Sequence, residues 1–460
     1  MGPERLDRGL DETQRTRSAH NDEVKSLLVC ACLLALSGCA AFFPPSERHS
    51  RTPRRIERSA PAGPLLAGAA EVDLTPRGEP VYMAGYKILK QNESVDGSIT
   101  ARAIAVARGE LRAVVVGCDL IGLHHYQVEE VRRRLSPLIS PNQVLVACTH
   151  NHAGPDTLGM WGLPPLMSGL DEEVTEQVLS GIVRAAELAI SRLEPARLRW
   201  GEVEAPLLGV SKNRREPTLI DRRVTSVAFD REDGSPIATL VHFACHPETL
   251  GSSNTVLSPD FPGALYATVE ASRPGVALFL NGALGGMVTV DRQGGRTLAE
   301  AKRIGRAVGE LALAALAPGR PLPAELELRC ARQPVYVPIQ LRRFHVGAFF
   351  GIFGPRPFVS GGYTPSEVMA LRFGPVVLLS LPGEALPKLG FELDRRISSE
   401  VGLVVGLGND ELGYLIHESD WEDERYDYER TVSPGKLATG VLRDAAWSAL
   451  AGVGALKEAK

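Results

Sequence analysis

Two histidines one residue apart, His150 and His152, follow a short apolar run in the stretch Val144 to Leu158, VLVACTHNHAGPDTL, before Ala153-Gly154-Pro155 turns the chain. Imidazole nitrogens bind divalent metals and exchange protons near neutral pH, so one ring can hold a metal while the other faces a substrate. Other apolar runs end in the same way. ATLVHFACHPETL carries His242 and His246, and VALFLNGALGG ends in the loop Asn281 to Gly286. VVLLSLPGE ends at Glu384, and LVVGLGND leads through Asn409 and Asp410 to Tyr414. Sites in α/β sheets form outside the carboxyl ends of strands, so this repeated pattern predicts that the loops meet. Two histidines and a carboxylate make a catalytic zinc shell with a position open to water, and the same donors suit Mn²⁺ or Fe²⁺. That reading selects His150, His246 and Glu384, with His152 as the second ring of the first pair. His242 lies inside its apolar run and is expected to be a core histidine. His124 and His125 are expected at a helix start.

The elements that must position these groups follow from apolar patterning. Strands are expected at Ala101–Ala107, Leu111–Gly117 (delivering Asp119), Arg223–Phe229, Ile237–Phe243, Val276–Leu280, Glu325–Cys330, Val376–Leu381 and Leu403–Leu407. Helices are expected over Gln127–Leu138, from a capping pattern at Ser168–Asp171 to Leu193, and from Thr297 to about Ala317. The fold class is therefore α/β, with mixed β-sheets flanked by helices in a single domain over residues 66–460. The segment Phe344 to Phe358 is rich in phenylalanine; its glycines and prolines argue against a helix, and it is either a loop folded into the core or an apolar rim where a lipid chain enters.

The formal net charge of −4 over 460 residues gives no reason to expect a nucleic-acid partner, and no nucleic-acid-binding signature is present. Lys25 precedes an apolar run, Ser26 to Leu36, of signal-peptide length. Leu36-Ser37-Gly38-Cys39 looks like a bacterial lipobox, so residues 1–39 are expected to be a signal ending at an acylated Cys39. Residues 40–65 are expected to be a disordered basic tether carrying Arg48, Arg51, Arg54, Arg55 and Arg58. Lipid plus basic tether would anchor an exported protein to a membrane, expected to be the outer membrane facing the periplasm. Cys118, Cys148, Cys245 and Cys330 then remain and are expected to be buried free thiols.

AGY, ARA, the strand to Asp119, THNHAGP, ACHPETL with SPDFPG, NGALGG, LPGE and GNDELGY occur in an order similar to the neutral (non-lysosomal) ceramidase family. The resemblance covers residues 70–440. It implies zinc-dependent hydrolysis of the amide of a ceramide-like N-acyl lipid, giving an amine and a fatty acid. It further implies His150, His246, Glu384 and Tyr414 as zinc ligands, with His152 and Tyr428 (Tyr426 as its rival) acting on the substrate. Gly286 stands where the family loop has Asp, and Val288 where it has Ser or Asn, which removes a polar group beside the scissile bond unless Thr289 takes its place. The family's C-terminal immunoglobulin-like domain is expected to be absent from this chain. The alternatives are a catalytically silent lipid-binding lipoprotein and a zinc hydrolase for a smaller N-acyl or ester substrate.

Overall fold

The computed structural model describes Pro45, residues 52–356 and residues 362–458. The signal expected over residues 1–39, its lipobox cysteine Cys39, and Arg48 and Arg51 of the tether lie outside the described residues. Thirteen strands form one hydrogen-bonded network. Its main path runs Val276–Asn281, Pro236–Phe243, Arg223–Asp230, Glu194–Glu204, Ile56–Asp73, Glu325–Pro338, Tyr363–Phe373, Val376–Ser380 and Val401–Val405. A branch leaves Ile56–Asp73 through Thr100–Arg108 and Leu111–Cys118 to Val144–Cys148.

Alternation along the strands sorts side chains between layers. Ala113, Val115, Leu145 and Ala147 join a central core made of strand residues from both arms, with Leu198, Phe229, Leu278, Leu371 and Leu403. Val114, Val116, Val144 and Val146 point the other way, toward the helices His125–Leu135 and Glu172–Ser191. Phe261–Ser272 and Leu298–Leu316 cover Val241, Phe243, Ala277 and Phe279 in the same manner. Pro387–Arg396 and Lys436–Gly452 cover Val368, Ala370, Val377 and Leu379. The fold is mixed α/β, a strand core with helices packed on its outer faces.

One helix starts at its expected cap, Thr297, and the other three residues past Ser168, the first residue of the capping pattern, at Asp171. Asp171 accepts from the Val174 N–H, and Thr297 accepts from the Glu300 N–H. Each such cap is worth about 1 kcal/mol. Within the thirteen-stranded network most of the pairing is antiparallel, but three pairs are parallel: Leu111–Cys118 with Val144–Cys148, Pro236–Phe243 with Val276–Asn281, and Val376–Ser380 with Val401–Val405. A parallel pair sends both chains out at the same end, so each pair delivers two loops together.

Two expectations are corrected. The stretch expected to be a disordered tether up to residue 65 contains the first half of the strand Ile56–Asp73. Its backbone groups are satisfied by Glu325–Arg332, and a register shift between Ala60 and Gly63 lets the second half pair with Thr100–Ala107. Composition pointed to disorder because the residues that complete this pairing lie some 270 positions away in the chain. The phenylalanine-rich segment begins as a helix, Arg342–Phe349. Gly347 inside it is there for packing, since a Cβ would stand 2.8 Å from the Phe353 ring. The chain-turning glycines, Gly351 and Gly354 at φ +72° and +62°, come after the helix.

Candidate metal centre

The three parallel pairs release their loops into one place, and Asn281 ties them together. Its side-chain amide donates to the carbonyls of Thr149 and Cys245, both at 2.8 Å, and its carbonyl oxygen accepts from the Cys245 N–H at 3.0 Å. The main-chain carbonyl of Asn281 accepts from Gly406, and Cys148 N–H donates to Leu407. Asn409 exchanges bonds with both backbone groups of Val146. The loops carrying His150, His246 and Glu384 thereby have fixed origins.

His150 adopts φ +67°, a left-handed conformation costly for a residue with a Cβ. Its Nδ1–H donates to the Ile121 carbonyl at 2.8 Å, leaving Nε2 with a free lone pair 3.3 Å from Glu384 Oε2. His246 is built the same way. Its Nδ1–H donates to the Val288 carbonyl at 2.7 Å, and its Nε2 stands 3.0 Å from the same Glu384 oxygen. Carbonyl-held Nδ1 atoms fix the tautomer that presents Nε2 as a ligand. In a tetrahedral zinc shell with bonds of about 2.0–2.1 Å, ligand atoms stand about 3.3 Å apart. The two distances to Glu384 Oε2, 3.3 and 3.0 Å, match that edge. Burial works against charge on Glu384; without a metal, protons shared from the Nε2 atoms of His150 and His246, in the place a cation would take, hold its carboxyl well below the usual carboxylate range.

The other expected site residues fall around this core. Glu384 pairs in parallel with Tyr414, so their side chains rise from adjacent strand positions. Tyr414 is 5% exposed, and burial and the Glu384 charge push its phenol up. Tyr428 lies edge-on to Tyr414, ring centroids 6.1 Å apart, and is 51% exposed at the mouth of the cleft. Tyr426 is buried and its hydroxyl donates to Glu216. The ring of His152 stands 4.8 Å from that of His150 and 5.7 Å from that of His246. One nitrogen each of His150, His152 and His246 lies within 4.8 Å of the others, so His152 is a possible fourth donor beside Tyr414. Both nitrogens of His152 are buried without a hydrogen-bond partner among the described residues, and burial, then His150, holds its pKa down to about 3.

His242 donates to or accepts from nothing in this site; its Nε2–H bonds the Val404 carbonyl at 2.9 Å. Asp119 is also structural, accepting from Thr100 and from the Tyr266 hydroxyl at 2.8 Å. In the loop 281–289, Gly286 takes φ +67°, and the Val288 carbonyl supports His246. Thr289 donates to Glu248.

Glu248 was not singled out from sequence. It lies two residues past His246, accepts from the Tyr86 hydroxyl at 2.6 Å, and faces His152 and His246. Burial raises its pKa, but His152, His246, Thr289 and Tyr86 together bring it down to about 2. Tyr86 in turn packs edge-on to His152, centroids 5.1 Å apart. The carboxylate in His246-Pro247-Glu248 was the available signal. Glu411 is another missed group: it lines the cleft, and burial and the Glu384 charge push its carboxyl well up. Arg356 reaches the same wall, paired with both Asp410 oxygens at 2.8 Å.

The cleft above these groups encloses about 830 Å³ including its open mouth. His150, His152, Glu384 and the two tyrosines form its floor and one wall. The rest of its lining is mostly apolar, with Leu158, Trp161, Ile339, Phe344, Phe353 and Val432, interrupted by His124, Arg356 and Glu411. A polar, metal-competent floor under apolar walls suits a substrate with one reactive polar group on a hydrocarbon chain.

Residues 65–283 match the family model described as neutral/alkaline non-lysosomal ceramidase, N-terminal. Over 220 residues the chain is 27% identical to the neutral ceramidase of Pseudomonas aeruginosa, covering 44% of this chain and 32% of that protein. It is 25% identical over 244 residues to neutral ceramidase A of Dictyostelium discoideum, covering 46% of this chain and 34% of that protein. The matched stretch thus spans about a third of each relative's length. A crystal structure of the Pseudomonas aeruginosa neutral ceramidase superposes with a TM-score of 0.70 at 20% identity, over 86% of this chain and 76% of that one. At that identity the likeness concerns the fold.

Proposed function

We propose that this chain, which matches the neutral/alkaline non-lysosomal ceramidase family model over residues 65–283, hydrolyses the amide of a ceramide-like N-acyl lipid to an amine and a fatty acid, with zinc held by His150, His246, Glu384 and Tyr414. The observation that carries this reading is the convergence of two carbonyl-anchored Nε2 atoms on Glu384 Oε2, at 3.3 and 3.0 Å. When bound, zinc supplies a Lewis acid and lowers the pKa of a hydrolytic water toward about 7.

The chain's own residues do the rest. The apolar walls hold the acyl chain and keep bulk water from the polar floor. His152, kept neutral by burial, offers one N–H and one lone pair beside the metal-binding rings. It can therefore donate its N–H to an oxyanion, or take a proton from the attacking water on its lone pair and hand one to the leaving amine. Tyr428 presents a phenol at the mouth of the cleft, beside Tyr414. Tyr86 and Glu248 brace the far face of His152. The expected lipid anchor at Cys39 belongs to the same proposal, since tethering raises the local concentration of a membrane-borne substrate.

The test measures metal content and turnover of fluorogenic N-acyl substrates of graded acyl length, in the full chain and in Glu384→Ala. The expected result is stoichiometric zinc with turnover of long-chain amides, both lost in the variant. Turnover that persists without metal would overturn the reading. One observation favours the silent lipid-binding alternative: Gly286 and the buried Val288 carry no polar group, and the loop's polar Asn281 and Thr289 are committed to Thr149, Cys245 and Glu248. Metal without turnover at any acyl length would establish that alternative. Turnover of short amides or esters alone would establish the smaller-substrate hydrolase.

A further inference from the structure

Three separate segments meet around the mouth of the cleft, and each exposes apolar side chains. Ile88 and Leu89 are 51% and 48% exposed, Leu166 and Met167 are 68% and 40%, and Phe349 and Phe350 are 64% and 46%. Large apolar groups this exposed are ordinary when scattered and informative when gathered. These are gathered. Leu89 N–H donates to the Trp161 carbonyl at 2.8 Å, which joins the first segment to the second. Ser168 donates to the Ile352 carbonyl at 2.7 Å, and Gly159 packs so closely on that carbonyl that a Cβ would stand 1.9 Å from it. The second segment is thereby joined to the third. Trp161, Phe344 and Phe353, from the same segments, line the cleft below.

The charges of this collar have one sign. Segments 87–90, 160–170 and 342–351 contain Lys87, Lys90, Arg342 and Arg343 and no carboxylate, in a chain whose formal net charge is −4. Acidic residues resume just beyond, with Asp171 as the N-cap of the next helix and the exposed Glu172 and Glu173 in its first turn. Lys87, Arg342 and Arg343 are exposed. Among the described residues no helix is long and apolar enough to cross a membrane. Apolar side chains ringed by cations, at the mouth of an apolar cleft, fit the boundary between acyl chains and anionic headgroups.

We propose that this collar docks the folded domain on an anionic lipid bilayer, so that the cleft opens directly onto the acyl-chain layer. The proposal rests on the lipid-substrate reading above but needs no turnover to be tested. It is also independent of the expected anchor at Cys39.

The test uses the full chain carrying Cys39→Ser, so that no attached acyl chain contributes. Binding is measured by co-sedimentation with vesicles of phosphatidylcholine, with and without phosphatidylglycerol. Phe349→Ser with Phe350→Ser should lower the partition coefficient at least about tenfold, because two exposed rings no longer enter the interface. Arg342→Glu with Arg343→Glu should lower binding about tenfold on the anionic vesicles and leave binding to pure phosphatidylcholine unchanged. In the same Phe variant, kcat/KM on a short, water-soluble N-acyl substrate should stay unchanged, while hydrolysis of a vesicle-embedded long-chain substrate should fall with binding. Equal partition of parent and Phe variant overturns the docking proposal, whatever the soluble turnover. So does unchanged partition combined with conversion of a dimer to a monomer by the Phe pair, which would make the collar an interface between copies. Loss of vesicle binding in a protein that never turns over soluble substrate upholds docking and removes the enzymatic reading.

Discussion

Glu384 and Glu367 are both buried carboxylates approached by histidine: Glu367 belongs with His125 and Glu129 to a group of donors close enough to share an ion, and Glu384 stands 3.3 and 3.0 Å from two of the three histidines that form another. Their other neighbours separate them. Glu367 accepts from both Arg132 terminal nitrogens at 3.0 and 2.7 Å, from Arg332, and from Asn409 at 2.8 Å. Its negative charge is matched by guanidinium groups already in place, and burial, though it opposes charge, leaves the carboxyl well below the usual range. Glu384 has no guanidinium on it; what faces it are two imidazole nitrogens whose partner rings' N–H groups are spent on carbonyls. Closeness of His and Glu is therefore not the mark of a metal site. A cluster that supplies its own cations is structural, and one that gathers lone pairs on a carboxylate calls for a cation from outside.

That contrast can be broken or sharpened by substitution. The largest effect is expected for Glu384→Ala, which should abolish metal binding and take activity to background while the circular dichroism spectrum stays that of the parent. Glu367→Ala should do the reverse: metal content is retained, and denaturant unfolding shows a loss of about 3–5 kcal/mol, because Arg132 and Arg332 lose their buried counter-charge and keep only the part-exposed Glu129. A metal-depleted Glu367→Ala protein of parental stability would erase the distinction.

A smaller effect concerns acid. The folded pKa of Glu367 lies below its unfolded value, so its contribution to stability is present above the unfolded value of about 4.3 and is lost as pH falls through the folded one. The stability gap between parent and Glu367→Gln should be constant above about pH 5 and narrow progressively below about pH 4.3, read from urea unfolding at each pH. The smallest effect is expected for His125→Gln. Its Nε2 stands 3.4 Å from Glu367, a long contact on a carboxylate already saturated by arginine, so the change should cost about 1 kcal/mol or less.

The sequence made strand ends legible because a strand buried on both faces must be apolar throughout and must stop where chemistry begins. VLVAC, the run to Phe243, and VVLLS are all such strands, and they place His150, His246 and Glu384 where the apolar runs suggested. What stayed hidden depends on contacts between distant residues or on local backbone. The left-handed φ at His150 has no signature in a histidine. Tyr86, Glu248 and Thr289 become a unit only through side-chain bonds that join loops 41 and 162 positions apart. The strand through Arg58 was masked by its composition, and the helix Arg342–Phe349 by glycines that act after it or pack against Phe353. Glu411 looked like one charge among several in a polar loop; only burial beside Glu384 distinguishes it.

The central claim is that two carbonyl-anchored imidazoles and one carboxylate hold a divalent cation. X-ray absorption at the zinc edge on the zinc-loaded full chain and on His246→Ala tests it most directly. The account predicts a shell of nitrogen and oxygen at about 2.0–2.1 Å with outer scattering from imidazole rings, absent from the variant. An unchanged spectrum in His246→Ala, or a first shell of sulfur, would contradict it.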